Sequence, residues 1–248
     1  MPFGSQFHDP LYDRPIHNLY RTLFGYLPDV AERLKAHYVM KKIDLKIGEW
    51  VLDAGCGIGV YCFEMAHRGA NVLGVDISSK SVRRGHYAAK KANLNNVAFI
   101  VADICHLPFK GNSFSTVICI DVLEHTDNDL ISIVELHRAL INRGKILIHV
   151  PHINRIPCLI KNSGFVTNID HVREGYSLQS LQAPLASCDF EIILHKYTFK
   201  GFGNFAYEVG FKIGKLRFLL FPILYVIARL DAFSRRRGNE LLVVAKKK

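Results

Sequence analysis

"VLDAGCGIG", residues 51–59, decides the fold of this 248-residue chain. An apolar run ends in a carboxylate, Asp53, followed by three glycines at alternating positions, Gly55, Gly57 and Gly59. Glycine lets the backbone turn tightly and come close to a ligand at the carboxyl end of a strand, which is where open α/β sheets bind. A dinucleotide fingerprint of the G-x-G-x-x-G kind needs a glycine at position 60, where this chain has Val60. Asp53 places a negative charge where a pyrophosphate would be repelled and an ammonium group welcomed. The loop therefore suits a cationic, phosphate-free nucleoside better than NAD.

Outward from the loop, short runs rich in Val and Ile alternate with stretches of helical spacing, the pattern of a parallel sheet covered by helices. The strand candidates are "WVLDAG" from Trp50, "NVLGVD" from Asn71, "VAFIVAD" from Val97, "STVICID" from Ser115, "GKILIHVP" from Gly144, "FEIILHKYTF" from Phe190 and "ELLVVAKK" from Glu240. Between them, "GVYCFEMAHRG", "SSKSVRRGHYAAKKAN", "NDLISIVELHRAL" and "YSLQSLQAPLASCDF" read as helices, with Ser78 or Ser79 and Ser177 as N-caps and Pro184 weakening the last. Helical stretches precede Trp50 as well, broken at Leu27-Pro28-Asp29. Strand two ends in Asp76, about 20 residues beyond the loop, where a carboxylate can accept both hydroxyls of a ribose. Strand three leads to Asp103, placed to take a hydrogen bond from an exocyclic amine. Each Asp alone also reads as a capping residue, but three in succession at strand ends point to one nucleoside site.

The segments "VLDAGCGIGVYCFEMAHRGANVLGVDIS", "VADICHLPFKGNSFSTVICIDVLEH" and "HRALINRGKILIHVP" resemble, in order and spacing, the class I S-adenosylmethionine-dependent methyltransferases, in the type 11, quinone-biosynthesis-like branch. That resemblance implies a Rossmann-like, seven-stranded, mostly parallel sheet with helices on both faces. It implies S-adenosylmethionine as cofactor, with Asp53, Gly55 and Gly57 along its methionine part, Asp76 on the ribose and Asp103 with Ile104 flanking the adenine. Cys56, Gly59, Ile77 and Asp121 complete the expected cofactor-binding set. The expected organisation is an N-terminal helical cap (1–45), a cofactor-binding core (46–200 and 239–248) and a helical insertion (201–238) between the last two strands, where the family has a short hairpin. Cys188-Asp189-Phe190 stands where many members have Gly-Phe, a departure that affects a turn.

Methyl transfer from a sulfonium is an in-line displacement, so the protein mainly aligns the reactants and handles the acceptor's proton. His125, His149 and His152, after strands four and five, are the candidate catalytic residues. His171, Arg173 and Tyr176 are candidates for the acceptor pocket, where an arginine can hold a carboxylate or phosphate. Asp121, Glu124 and His125 resemble the acidic-x-x-Glu-His segment that polyprenyl-quinone O-methyltransferases associate with a divalent metal. "LEH" also follows strand four in methyltransferases without one, and no metal is included in the expected site.

The chain carries a net charge of +10 and is 49% hydrophobic. Six scattered cysteines form no CxxC pair and read as buried thiols. The first residues show no basic segment leading into an apolar run, so a cytoplasmic protein is expected. Basic residues gather around "KLRFLLFPILYVIARLDAF", residues 215–233, whose uncharged stretch is about half of the ~20 residues that a membrane-crossing helix needs. Pro222 is expected to split it into two short helices. An apolar element with basic and aromatic flanks fits an interface with headgroups, so an anionic membrane surface against residues 202–237 and a hydrophobic, lipid-linked or quinone-like acceptor are the expected partners. Packing within the domain or against a second copy is the competing reading. Nucleic acid fits poorly, because aromatics among leucines are badly placed to stack bases. The alternatives to an O- or C-methyltransferase are an inactive adaptor on the same fold, or an RNA methyltransferase, which the lack of an Asn-Pro-Pro-Tyr-type segment at "IDVLEH" disfavours.

Overall fold

The computed structural model describes residues 29–156, 158–159 and 171–248. The helical stretch expected before Asp29 lies outside the described residues. Seven strands form one sheet: β1 (Trp50–Ala54), β2 (Asn71–Asp76), β3 (Val97–Val101), β4 (Phe114–Ile120), β5 (Leu140–Pro151), β6 (Phe190–Thr198) and β7 (Glu240–Lys247). Their order across the sheet is β3-β2-β1-β4-β5-β7-β6, and β7 runs antiparallel to both neighbours. The sheet reverses its winding between β1 and β4, which opens a crevice beyond their carboxyl ends, the place where such sheets bind ligands.

Two apolar cores sit on the two faces. On one, Val51, Val72, Phe99, Leu147, Leu242 and Val244 pack under α1 (Val30–Met40), α2 (Val60–Ala66), α3 (Ser79–Lys91), α6 (Gly201–Lys212) and α7 (Arg217–Arg229). On the other, Leu52, Val75, Ile146 and Ile148 pack under α4 (Asp129–Ala139) and α5 (Leu178–Ser187). The period of two along a strand decides which side chains reach which face. It therefore sends Asp53, His149 and Glu240 toward the first.

Local chemistry explains the helix starts. Asp29 caps α1 through Oδ1, which accepts from Ala31 N at 2.9 Å, and Ser78 caps α3 by accepting from Ser81 N at 3.2 Å. Ser177 and Ser180 cap α5 reciprocally, and the helix carries Pro184 inside it. Strand β5 starts four residues before the expected Gly144, because α4 passes into it at Leu140 without a loop.

One expectation is corrected. Pro222 does not split the apolar segment: α7 runs unbroken from Arg217 to Arg229 with the proline inside. A single missing N–H removes one intrahelical bond. Buried Phe221, Leu224 and Ala228 fix the helix against the core on both sides of it. No described helix is long and apolar enough to cross a membrane.

Candidate functional site

The glycine loop leaves β1 and is held to the next strand by two hydrogen bonds, from Gly55 N and Cys56 N to Val75 O, each 2.8 Å. Gly55, Gly57 and Gly59 all have positive φ (78°, 53° and 87°). A Cβ at Gly59 would lie 2.3 Å from the Phe99 ring, and one at Gly55 2.3 Å from Val122. At Gly57 a Cβ would meet nothing within 4 Å. Two of the glycines thus serve close packing and the third faces open space. Asp76 sets the rim of that space: Oδ2 accepts from Gly57 N at 2.7 Å and Oδ1 from Ser78 N at 2.8 Å. Each carboxylate oxygen retains acceptor capacity for a further hydroxyl.

Beside Asp76 the side chain of Ile77 is 74% exposed, and Val101 at the end of β3 is 51% exposed. They form an uncovered apolar rim suited to a flat base. Asp103 follows, with Oδ1 accepting from Cys105 N at 2.8 Å. Ile104 turns its side chain into the core, so its contribution to a bound nucleoside comes from the backbone. Asp53 is almost fully buried, and Cys62 Sγ donates to it at 3.1 Å. Burial pushes its carboxyl pKa up to about 7. Cys56, also buried, donates to Gly57 O.

A second cluster assembles residues from distant parts of the chain. Lys35, from the middle of α1, pairs with Asp121 at the end of β4 and lies 3.7 Å from Glu240 and 3.5 Å from Glu32. His149 Nδ1 sits between Asp121, at 3.5 Å, and Glu240, at 3.3 Å, while its Nε2 lies 2.9 Å from Thr198 Oγ1. Tyr61 joins through a contact with Glu32. Burial works to raise the Asp121 pKa, but Lys35 and then His149 outweigh it and hold that carboxyl well below its ordinary range. Burial prevails at Glu240 and Glu32, which stay above theirs despite Lys35. On Lys35 burial favours the neutral amine, but Asp121, Glu240 and Glu32 overcome it and keep the ammonium charged. Asp121 takes a positive φ of 52° to make the turn that aims it at Lys35.

The sequence candidates separate into three groups. His149 joins Asp121 in this cluster. His152 is enclosed elsewhere, with Nδ1 accepting from Asn154 N at 2.9 Å and Arg237 2.7 Å from Nε2, so its surroundings are structural. Arg173 and Tyr176 are engaged in structural contacts as well. Arg173 donates to Leu123 O and Tyr176 and pairs with Asp129 at 2.8 Å, and Tyr176 is buried with its hydroxyl on Asp129. This leaves the guanidinium engaged in pinning the turn at 123–125 rather than facing an acceptor. His125 and His171 stack edge to face, 4.5 Å between centroids, next to Glu124. Glu124 is 1% exposed, neither carboxylate oxygen has a hydrogen-bond partner among the described residues, and burial followed by the Asp121 charge lifts its pKa to about 8. Glu124, His125 and His171 bring ligand atoms within 4.8 Å of one another, as do Asp121, His149 and Glu240. In the second group Lys35 already supplies the cation.

A sequence model of the methyltransferase domain family matches residues 52–148. An uncharacterized protein of Methanocaldococcus jannaschii is 32% identical over 208 residues, covering 83% of this chain and 81% of its own. The chain belongs to the S-adenosylmethionine-dependent methyltransferases. The ubiquinone biosynthesis O-methyltransferase of Vibrio parahaemolyticus is 32% identical over 113 residues, 45% of this chain and 47% of that protein, so the methyltransferase spans about half the length of this relative. Its fold matches that of Haemonchus contortus phosphoethanolamine N-methyltransferase 2, solved in complex with phosphomonomethylethanolamine and S-adenosylhomocysteine (TM-score 0.65, 21% identity, 86% of this chain and 52% of that one). The cofactor is S-adenosylmethionine. The residues fit it: open space over Gly57, the Asp76 carboxylate beside it and the apolar rim of Ile77 and Val101 have the order of a methionine, ribose and base.

Lys35, Glu32, Tyr61, Thr198 and Glu240 escaped the sequence reading. Two signals were visible, a lysine in an otherwise apolar α1 face and a glutamate opening a buried strand.

Proposed function

We propose that this methyltransferase methylates a hydroxyl on a hydrophobic, lipid-like or quinone-like acceptor delivered from a membrane surface. The observation that carries the reading is the double duty of α1. It delivers Lys35 to Asp121, and it also packs against α6 and α7; α7 and the short turns flanking it bear an outward apolar stripe. Leu34 lies against Gly203, and Tyr38 donates to Asp231 at 3.0 Å. Leu216, Leu219, Ile223, Val226, Leu230 and Phe233 recur at spacings of three and four, all more than 40% exposed. Such a stripe, with Lys212, Arg229 and Arg235 to Arg237 around it, suits an element lying in headgroups. The relative that acts in ubiquinone biosynthesis supports the acceptor class.

S-Adenosylmethionine supplies the electrophilic methyl group. The chain's residues handle the acceptor. Glu240, with its raised pKa and with Oε2 3.3 Å from His149 Nδ1, takes the hydroxyl proton. Lys35, which stays charged, holds the developing oxyanion, and His149 orients the carboxylates from a fixed position between them. Asp53 is placed for the cofactor's ammonium.

The test is turnover of a polyprenyl phenol dispersed in phosphatidylcholine–phosphatidylglycerol vesicles, compared with the same phenol without its tail. The reading expects the tailed acceptor to be preferred. Glu240→Gln should lower kcat by about 10²–10⁴-fold, the usual contribution of a positioned base. Leu219→Ser with Ile223→Ser should raise KM for the vesicle-borne acceptor alone. Equal turnover of both acceptors, with KM indifferent to the stripe, would sink it.

A further inference from the structure

A second cavity lies on the other side of α1, away from Lys35. It encloses about 350 Å³ between α1, α2 and α7, within the range of small-molecule sites. Its walls are Arg33, Ala36, His37, Met40, Lys41, Glu64, Arg68, Tyr225 and Arg229, so four permanent cations face one carboxylate.

Three of the four cations have side-chain contacts, and Lys41 is exposed. Arg33 pairs with Glu64 at 2.6 Å. Arg68 donates to Met40 O at 3.0 Å, which secures the end of α1. The Arg229 guanidinium lies 5.9 Å over the Tyr225 ring, which in turn stacks on Phe221. A guanidinium carries five N–H donors in a fixed fork that matches phosphate oxygens. The described contacts use one donor on Arg33 and one on Arg68. Helix-end capping accounts for Arg68, and Arg229 also donates to the Tyr225 hydroxyl at 3.4 Å, which leaves most of its guanidinium donors and the Lys41 ammonium for another acceptor. His37 reports the local potential: burial, then the charges of Arg229, Lys41, Lys196 and Arg33, bring its pKa down to about 4. Lys42, Lys196 and Lys200 extend the positive field toward solvent; burial, then Lys200, Lys42 and Lys41, lower the Lys196 pKa. A field of one sign over a concave surface draws in counter-ions.

We infer that this cavity binds a phosphate-type anion, either a phosphomonoester in solution or the headgroup of an anionic lipid. The inference goes beyond methyl transfer and stands without it, because no cavity wall belongs to the cofactor loop or the Lys35 cluster. Tyr225 and Arg229 share α7 with the exposed stripe, so a lipid lying against Ile223 and Val226 has this cavity within reach of its headgroup.

The test uses the full chain. Glycerol 3-phosphate is titrated calorimetrically, and flotation is measured on phosphatidylcholine vesicles with and without phosphatidic acid. Lys41→Gln with Arg229→Gln is compared with Lys90→Gln and Lys91→Gln, an equal loss of charge on α3. Each charge-assisted hydrogen bond to an anion supports roughly a tenfold or larger effect. The cavity pair should therefore lose at least about tenfold in affinity while the α3 pair stays within about twofold. Calorimetric binding sensitive to the cavity pair identifies a soluble phosphate ester, and flotation alone with the same sensitivity identifies a headgroup. Equal weakening by both pairs, or by neither, would overturn the inference. S-Adenosylmethionine affinity is measured in parallel: retained in all variants, it shows that they are folded and keeps this outcome separate from the fate of the acceptor reading.

Discussion

The proposed cofactor half and the proposed acceptor half of the crevice are built on opposite plans. The cofactor half is local: Asp53, Gly55, Gly57, Asp76 and Asp103 lie in one stretch of three strands, and its key contact, Asp76 to Gly57, spans 19 residues. The acceptor half is remote: Lys35 reaches Asp121 across 86 residues, and Glu240 comes from the last strand. The first relies on backbone donors and glycine, which tolerate only a few residue types. The second relies on charge balance in a buried cluster. A lost member therefore has a different consequence in each.

The largest effect is expected at Lys35. Lys35→Met leaves Asp121, Glu240 and Glu32 facing one another without their ammonium, and removing one partner of a buried pair costs about 3–5 kcal/mol. Thermal unfolding should show the loss at pH 7 and a partial recovery at lower pH as the carboxylates protonate. A variant as stable as the wild type would remove the contrast, because the cluster would then not depend on charge balance.

Asp76→Ala comes next. It removes the acceptor of two backbone N–H groups and the proposed ribose contact, so S-adenosylmethionine affinity should fall about a hundredfold or more by calorimetry, with a smaller loss of stability than at Lys35. Both variants together test whether the two halves are separable, since effects at sites without shared partners add.

The cofactor half has its own pH signature. The ammonium of the cofactor favours ionised Asp53, whose pKa in the folded chain is about 7. Below that value a proton must leave before the pair can form. Affinity should therefore fall about tenfold for each pH unit below 7 and level off above it. Asp53→Asn should bind weakly with no such slope. A slope that persists in the variant would place the titration on another group.

The smallest effect is expected on the exposed stripe. Ile223→Ser, at a side chain 60% exposed, should change stability by no more than about 0.5 kcal/mol while reducing flotation on anionic vesicles. A large destabilisation would mean that the stripe belongs to the packing of the acceptor half instead of to a surface.

The sequence by itself determined the strand order of chemistry along the sheet. "VLDAGCGIG" needs a strand, a carboxylate and left-handed backbone in succession, Asp76 ends the next strand, and Asp103 follows the one after it. These are short-range requirements, carried by φ angles and a period of two, and they survive without knowledge of any distant contact. Tertiary structure alone decided which titratable groups meet. His149 and His152 look equivalent in "HVPHINR", yet three residues of strand geometry put one among Lys35, Asp121 and Glu240 and the other against Arg237. Arg173 and Tyr176 look like ligand-binding residues and turn out to fasten a loop through Asp129. Pro222 reads as a break, and packing on both sides of it keeps α7 whole. Such outcomes depend on side chains from different elements sharing a low-dielectric space, and no local pattern along the chain encodes that meeting.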